Sequence, residues 1–438
     1  RGCAFYHFGF DSLSTCHDLS QSGAVAAIKN IRLREVIFMG NNPLHLFKNP
    51  SFLRVWGLGF IGNTMRWLET LAIGIFVYEV TTSALLVALM TIARQLPLAL
   101  FGSFIGPFAE RFNRKHLLVL GSTVMTVSVS CLGVLAYFSF LEIWHIAILV
   151  FVNGTCWTLD YPVRRTLVGE FSGPEKMGAG ISLDSATTNV TRMLGPFLGG
   201  VTYGLLGLEG AFIISAVSHF VCICIACSLV FEFRPLNQKV ESYFLLLKQG
   251  LKIVKKSPQL IGVYLVTIIL NICGFPYASM VPVLGRDVYK VEPALIGILS
   301  AAEGAGAFVG ALVVAFLIRP SWFNKVYTIG ALTFIFGIFC LSLVDQYFLG
   351  ISILWVAGLG MAGFGAMQST LVLTLAPKNA RGRLMGVLSV CIGCAPIGLL
   401  NLGLLADLFG AQIALTIISS VGLAALLLTI IIIPHLRR

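Results

Sequence analysis

Charged residues are scarce in this chain of 438 residues: only 11% are Asp, Glu, Lys or Arg, whereas 57% are hydrophobic. Soluble globular domains carry roughly 25% charged residues, so the composition excludes a soluble fold with a charged surface. Mean hydropathy is +0.91, and no polar stretch between the apolar runs is long enough for a soluble domain. The composition therefore indicates an all-α polytopic membrane protein.

Sequence patterns for enzyme chemistry are lacking as well. We find no phosphate-binding loop, no nucleophile–base pair and no zinc motif, so we expect neither an enzyme nor a cofactor. Cys391 and Cys394 have the spacing of a redox pair, but both lie inside an apolar span, where such chemistry is not expected. A second group of possible metal ligands lies near the start of the sequence, but its spacing fits no zinc template. It comprises Cys3, His7, Cys16 and His17.

Twelve apolar runs of membrane-spanning length follow one another along the chain. They are spans 1 to 12, at 52–78, 84–108, 116–139, 143–167, 178–205, 210–231, 259–284, 294–318, 325–344, 347–375, 382–405 and 411–433. Basic residues concentrate in every second connection, which by the positive-inside rule places both termini in the cytoplasm. The net charge of +11 is therefore read as topology in a cell (inner) membrane, and no nucleic-acid partner is expected.

The chain is expected to divide into four parts. The first Met is Met39 and no signal peptide precedes it, so residues 1–41 are predicted to be a non-native or disordered extension. Residues 42–232 and 258–438 are predicted six-helix bundles, joined by a cytoplasmic linker at 233–257. An amphipathic helix on the inner leaflet is predicted in the linker, with a solvated basic linker as the alternative. Its apolar face comprises Val240, Tyr243, Phe244, Leu247, Leu251 and Val254.

The two predicted bundles resemble each other at an offset near 200 to 210 residues. The segment 102–106 matches 306–310, Pro196 matches Pro396, and Gly210 and Ala211 match Gly410 and Ala411. The matches are collinear across six spans, which is typical of a parallel repeat about an axis along the membrane normal. This symmetry predicts a cavity between the halves at mid-membrane.

The connection between spans 2 and 3 reads Gly-Pro-Phe-Ala-Glu-Arg-Phe-Asn-Arg-Lys over residues 106–115 and resembles the signature loop of the major facilitator superfamily. It departs from that pattern at Glu110, which replaces Asp, and at Asn113, which replaces Gly and is expected to keep a left-handed turn. The resemblance implies a twelve-helix transporter fold and a cytoplasmic gate in which charged contacts break and re-form. The gate residues are Gly106, Glu110, Arg111, Arg114 and Lys115.

Further segments at 42–67, 141–145, 160–162 and 189–196 resemble the enterobactin-exporter-like branch of twelve-span drug:proton antiporters. The resemblance implies a small-molecule substrate, protons as the coupling ion and a lipid bilayer around a monomer. It also identifies an antiporter motif in span 5, which bends the helix and lets a partner helix approach, with span 8 at Gly306 and Gly310 expected as the partner. The motif residues are Gly195, Pro196, Gly199 and Gly200.

Seven charged residues lie at membrane depth, where each costs roughly 2.5 to 3.5 kcal/mol on insertion scales. Glu69 is the first candidate for the proton-coupling carboxylate, because Arg66 lies three residues away on the same helix face. Asp184 and Glu303 are the other coupling candidates. The alternative is that these groups form static ion pairs. Candidates for the substrate cavity or for ion pairs are Arg66, Arg94, Asp160, Asn189, Arg192, Asn271 and Gln368.

Individual roles remain open for several of these residues. Arg192 is expected either to bind an anionic substrate group or to hold an acid ionised. Asn189, Asn271 and Gln368 could bind substrate through uncharged hydrogen bonds or bridge helices. Asp160 is expected to contact Arg164 or Arg165 in a gate.

The sequence thus predicts a secondary transporter that works by alternating access and exports small amphiphilic or hydrophobic molecules in exchange for protons. An uptake symporter of the same fold is the first alternative, since spans and repeats do not set the transport direction. A receptor or scaffold that transports nothing is the second alternative.

Overall fold

A computed structural model describes residues 43–230, 243–377 and 380–436, with only the backbone for 43–44, 103–111 and 243–245. The described residues are overwhelmingly helical and contain no β-strand. The helices are α1 Pro50–Thr81, α2 Ala84–Arg111, α3 Arg114–Tyr137, α4 Ile143–Ser172, α5 Met177–Cys227, α6 Tyr243–Val254, α7 Pro258–Ile269, α8 Pro293–Leu317, α9 Phe323–Leu341, α10 Tyr347–Leu375, α11 Arg381–Ile392, α12 Ala395–Phe409 and α13 Ala411–Ile432.

Ten helical segments of the described chain are long and apolar enough to cross a membrane. The 51-residue α5 counts as one of them, although it breaks at Gly207, where φ is 70° and ψ is −172°. The 32-residue α1 is not among these ten, but it is long enough to span. The all-α polytopic fold is confirmed, and the helices are consistent with twelve spans.

Capping residues explain where several helices begin. Asn49 accepts hydrogen bonds from the backbone N–H groups of Ser51 and Phe52 at the start of α1. Ser83 caps α2 in the same way. Asn113 accepts from the Lys115 N–H and caps α3 with extended backbone, φ −65° and ψ 115°. The left-handed turn expected at Asn113 is therefore wrong, because its side chain serves as an N-cap instead.

Glycines in the left-handed region mark the same turn in both halves of the sequence. Gly207 separates the two arms of α5, which we call the first arm (177–206) and the second arm (208–227). Gly410 has φ 85° and separates α12 from α13. The pairing of Gly210 with Gly410 in the sequence repeat is thus three residues off, since Gly207 makes the turn and Gly210 is helical.

Two predicted spans are not continuous helices. After α7 the chain continues to Val288 through short π and 3-10 turns that contain Pro276 and Pro282. Between α11 and α12 the helix is interrupted at Gly393 and Cys394, just before Pro396. Proline removes a backbone hydrogen bond and clashes with the preceding turn, which accounts for both interruptions.

The linker does contain a helix: α6 covers Tyr243–Val254, while Val240 lies outside the described residues. Val254 is buried, and a methyl group built on Gly250 would lie 2.8 Å from Val387 and 3.0 Å from the Arg383 carbonyl oxygen. The side of α6 that carries Gly250 and Val254 therefore packs on α11, whereas Leu251 of the predicted apolar face is 44% exposed. The position of α6 on the inner leaflet, and the domain limits given above, stay predictions.

Helices α1 to α5, called here the first half, and α7 to α13, called the second half, meet mainly at one end of the bundle. This closed end carries the turns at Thr82, Gly207, Lys290 and Gly410. There α8 packs along the first arm of α5, and α12 packs along α2. The opposite end, which holds the turns before α3 and α5, is called the open end. The hydrogen bonds and ion pairs found among its described residues join helices of the same half.

Candidate functional site

The carboxylate of Glu69 lies at the centre of a buried polar cluster in the first half. Arg94 Nη2 on α2 donates to Glu69 Oε2 at 3.2 Å. Ser215 Oγ donates to Glu69 Oε1 at 2.6 Å, and His219 Nε2 lies 3.3 Å from the same oxygen. All four side chains are less than a tenth exposed. Glu69 and His219 are thus an ionisable pair in contact at membrane depth. The cluster around them is built from three helices, α1, α2 and α5.

Arg66 is not the partner of Glu69, contrary to the expectation from their spacing. Its guanidinium lies over the Trp157 ring at 3.6 Å from the centroid, and more distantly over Trp67 at 6.0 Å. The Arg66 carbonyl oxygen instead accepts from Arg94 Nη1 at 3.2 Å. The side chain of Arg66 leans toward α4, where cation–π contact replaces an ion pair.

A second buried cluster surrounds Arg164, which is 1% exposed. Its Nη1 donates to Asp184 Oδ1 on α5 at 2.5 Å, and its Nε lies 3.6 Å from Asp160 Oδ2 one turn earlier on α4. Asp184 is buried, whereas the Asp160 side chain is 30% exposed. Of the two contacts expected for Asp160, the structure contains the one with Arg164. The neighbouring Arg165 instead donates to the Tyr161 hydroxyl at 2.5 Å.

The third charged pair joins the two halves. Arg192 Nε on the first arm of α5 donates to Glu303 Oε2 on α8 at 3.0 Å, and Arg192 Nη1 lies 3.7 Å from the Met361 sulfur on α10. Glu303 is 2% exposed, and its Oε1 has no hydrogen-bond partner among the described residues. Of the two roles open for Arg192, the geometry favours a partner for an acid.

Glycines bring the halves into backbone contact on the closed-end side of that pair. A methyl group built on Gly200 would lie 2.5 Å from the Pro293 carbonyl oxygen and 2.6 Å from Gly297 Cα. The partner of the antiporter motif is thus α8, as expected, but at Gly297 rather than at Gly306 and Gly310. Those two glycines face α10 instead.

The other two glycines of the motif, Gly195 and Gly199, pack against a helix of their own half. Methyl groups on Gly195 and Gly199 would meet α1 backbone atoms, at 2.8 Å from the Thr64 carbonyl oxygen and 2.7 Å from that of Leu68. Pro196 lies inside the helix, and its carbonyl oxygen faces Gly297. The motif therefore packs α5 on two neighbours at once.

Amide side chains of the second half bond to protein groups. Gln368 Nε2 donates to Thr267 Oγ1 at 2.9 Å and joins α10 to α7. Asn271 Nδ2 donates to the Thr267 carbonyl oxygen at 2.9 Å. Both amides are buried. Gln368 therefore bridges two helices, whereas Asn271 bonds within its own helical segment, one turn back. Asn189 on α5 is half-buried.

The signature-loop residues are only partly described. Gly106, Glu110 and Arg111 have no described side chains, so their gate roles stay predictions. Arg114 forms an ion pair with Glu170 at the end of α4. Lys115 provides the backbone N–H that Asn113 caps.

A polar network holds the closed end together. Arg286 Nη2 lies 3.0 Å from Glu79 Oε1 across the two halves, and Tyr203 donates to Glu79 Oε2 at 2.5 Å. The Tyr78 hydroxyl donates to Asp287. Asp407 at the end of α12 accepts from Ser83 Oγ at 2.8 Å and from the Leu85 N–H at 3.0 Å. These contacts close one route into the space between the halves.

Sequence reasoning missed Ser215 and His219, because it considered only Asp, Glu, Lys and Arg as charges at membrane depth. A histidine in the middle of span 6, which has none of those four residue types, was the available signal. Cys222 on the same arm is also buried, at 3% exposed. Within the described residues, no group of three or more His, Cys, Asp or Glu is arranged to hold a metal ion.

Comparison with known proteins places the chain in a family. Residues 41–437 match the family described as transmembrane secretion effector. The chain is 22% identical over 371 residues to a staphyloferrin A transporter of Staphylococcus aureus, covering 83% of this chain and 89% of the relative. It is 24% identical over 343 residues to the enterobactin exporter EntS of Salmonella typhimurium, covering 76% and 80%.

The fold is shared with solved transporters. A bacterial homologue of the lysosomal transporter Spinster, solved in an inward-facing and unoccupied conformation, superposes with a TM-score of 0.66 at 14% identity over 90% of this chain and 96% of that one. This likeness concerns the fold alone. With the family match over nearly all of the described chain, the protein belongs to the transmembrane secretion effector family, an enterobactin-exporter-like branch of the major facilitator superfamily of membrane transporters.

Proposed function

We propose that this chain exports small amphiphilic or hydrophobic molecules across the inner membrane in exchange for protons, by alternating access. The observation that carries the proposal is the buried pair Arg192–Glu303, which joins the two halves at mid-membrane. The pair lies on the open-end side of the backbone contact between Gly200 and Gly297, called here the Gly200 seam. As the halves rock, this pair breaks and re-forms, which changes whether Glu303 favours its ionised or its protonated form. An exporter among the relatives supports the outward direction.

The closed and open ends fit one state of this cycle. By the distribution of basic residues, the open end is the cytoplasmic one, so the described conformation faces inward. A substrate would then enter from the cytoplasm into the space below the Gly200 seam, and closing the cytoplasmic gate would accompany opening of the network around Glu79 and Asp407.

Glu69 remains the first choice for the coupling carboxylate. It is 2% exposed, and it contacts an arginine, a serine and a histidine, so a small helix movement changes which partners reach it. Glu303 is the second choice, because one of its oxygens lacks a partner within the described structure. Asp184 ranks third, since Arg164 holds it at 2.5 Å. Loading a proton on Glu69 in one state and releasing it in the other couples the cycle to the proton gradient.

The test is dye accumulation in efflux-deficient bacteria that express the chain. Cells are loaded with ethidium, an amphiphilic cation, or with Nile red, an uncharged hydrophobic dye. We expect lower accumulation with the chain than without it, restored by a protonophore and by Glu69→Gln. The matched control is Glu175→Gln, which removes an acid from an exposed turn and should export normally.

Three results would contradict the proposal. Higher dye accumulation driven by an inward proton gradient would indicate an uptake symporter. Unchanged accumulation of both dyes, with the chain shown to be in the membrane, would refute export of this substrate class. Survival of export in Glu69→Gln, Asp184→Asn and Glu303→Gln alike would remove proton coupling through these acids.

A further inference from the structure

A column of polar side chains runs through the first half. On α4 the residues Asn153, Trp157, Asp160 and Arg164 recur every three or four positions, so they share one face of the helix. They line a cavity together with Arg66 and Glu69 of α1, Arg94 of α2, and His219 and Cys222 of α5. All the lining residues belong to helices α1 to α5.

Unpartnered polar atoms indicate that water belongs in this cavity. Asn153 Oδ1, Trp157 Nε1 and Arg164 Nη2 are buried and have no hydrogen-bond partner among the described residues. Burying such a group unpaired costs about 1–3 kcal/mol. The cavity offers about 40 Å³ of water-accessible space, which is enough for a few water molecules at roughly 10–15 Å³ each. Asn153 and Arg164 are 6% and 1% exposed, so the site is built into the core.

The two ends of the column differ in exposure. At mid-membrane it begins at Glu69, whose side chain is 3% exposed. On α4 it reaches Asp160, whose side chain is 30% exposed, whereas Arg164, one turn nearer the open end, is 1% exposed. On α1 the column extends from Glu69 to Gly59, which packs on the Arg164 guanidinium; these two residues are ten positions apart, which corresponds to about 15 Å of helix.

Charges around the column balance. Four of the five helices packed against the cavity contribute charged or titratable groups: Arg66 and Glu69 come from α1, Arg94 from α2, Asp160 and Arg164 from α4, and Asp184 and His219 from α5. Helix α3 contributes Ser122 and Met125, which carry no charge. Three arginines face three carboxylates, so a transient excess proton meets no net positive charge. His219, in contact with Glu69 Oε1, can hold the proton that the carboxylate releases.

We propose that this column is a proton path, which connects Glu69 and His219 with the exposed carboxylate of Asp160 through water molecules that Asn153 Oδ1 holds by hydrogen bonds. The inference rests on the proposed function, since it supplies the route for the coupling proton. Each step breaks one O–H or N–H bond and forms another. One proton therefore leaves the Glu69–His219 pair for every proton that Asp160 delivers to bulk water.

Gly62 provides a direct test. It lines the cavity, and a methyl group built on it would meet nothing within 4 Å, so Gly62→Leu fills the cavity with apolar atoms without a clash at the helix backbone. Gly57 is the matched control: it lies on the same helix, is equally open, and does not line the cavity. The variants are Gly62→Leu, Gly57→Leu and Glu69→Gln in the full chain.

The measurement is proton uptake by purified protein after a rapid drop in pH, followed in weak buffer with the indicator dye pyranine. The kinetic phase that Glu69→Gln lacks reports the Glu69–His219 pair. We expect Gly62→Leu to slow this phase at least about tenfold, equivalent to one lost water-mediated link of roughly 1.4 kcal/mol in the barrier. Gly57→Leu should leave the rate unchanged.

The result that overturns the inference is a wild-type rate in Gly62→Leu, or proton uptake that Glu69→Gln does not alter. Should Gly62→Leu fail to fold, Asn153→Leu removes the unpartnered amide and fills the same space, with the same expected slowing. Because no substrate is present, the outcome is separate from that of the dye assay: an intact column with no dye export refutes the proposed function alone.

Discussion

Replacing Gly200 by Ala should shift the equilibrium between the two states of the protein. In the described state the new methyl group would lie 2.5–2.8 Å from backbone atoms of Pro293 and Gly297, contacts that force the seam apart. Overpacking of this kind costs about 1–3 kcal/mol. Since the seam is separated when the closed end opens, the cost falls on one state only. The population ratio should therefore move about 5-fold to 150-fold toward the state open at that end.

A matched control isolates the effect of the seam. Gly365 also lies inside a long helix, α10, but a methyl group on it meets nothing within 4 Å. Both substitutions gain roughly 1 kcal/mol of helix propensity, so that gain cancels in the comparison. Gly365→Ala should leave the equilibrium where it is in the unsubstituted chain.

The assay is pulsed electron paramagnetic resonance with spin labels at positions 80 and 408. Val80 and Leu408 are exposed residues near the closed end, on α1 and α12. Gly200→Ala should add a longer-distance population that Gly365→Ala lacks. An unchanged distance distribution in Gly200→Ala would refute the reasoning, because it would mean that the backbone contact at Gly297 does not hold the closed end together.

Three further outcomes are expected. Arg94→Ala should lower the free energy of unfolding in detergent by about 3–5 kcal/mol, because the buried Glu69 carboxylate loses its arginine and keeps only Ser215 and His219. Arg66→Ala should cost clearly less, and equal losses would contradict the assignment of Arg94 as the partner of Glu69. Gly59→Val should displace the Arg164 guanidinium, which a methyl group there would approach at 2.2 Å, and should lower the melting temperature much as Arg164→Ala does. Glu79→Gln should change the free energy of unfolding by only about 0–1 kcal/mol, because the ion pair of Glu79 with Arg286 is partly exposed. A larger loss, measured at high salt, would argue against this.

Hydropathy alone predicted most of the fold. The apolar runs were long enough to identify the spans, and the repeat placed equivalent turns correctly to within a few residues, as Gly207 and Gly410 demonstrate. The interruptions after Ile269 and at Gly393 were missed. Their prolines were visible in the sequence, but whether a proline bends a helix or breaks it depends on which neighbours satisfy the freed carbonyl groups.

The site was predicted as a set of charges but not as a set of pairs. Membrane-depth charge is rare enough to identify Glu69, Arg94, Asp184 and Arg192 from sequence. Sequence spacing then suggested Arg66 as the partner of Glu69, because only neighbours on one helix can be compared that way. The true partner, Arg94, reaches across from another helix, and that choice depends on helix packing, which no local pattern contains.

The pairing of charges also sets an order for biogenesis. The partners Glu69 and Arg94 lie on consecutive helices, so their combined insertion cost can be offset as soon as α2 follows α1 out of the ribosome. Arg192 differs, because its carboxylate, Glu303, lies on α8. The first half therefore leaves the insertion machinery with Arg192 still lacking its acid. Stalling synthesis between Gly207 and α8 should leave a nascent chain that chaperones and proteases recognise until α8 arrives.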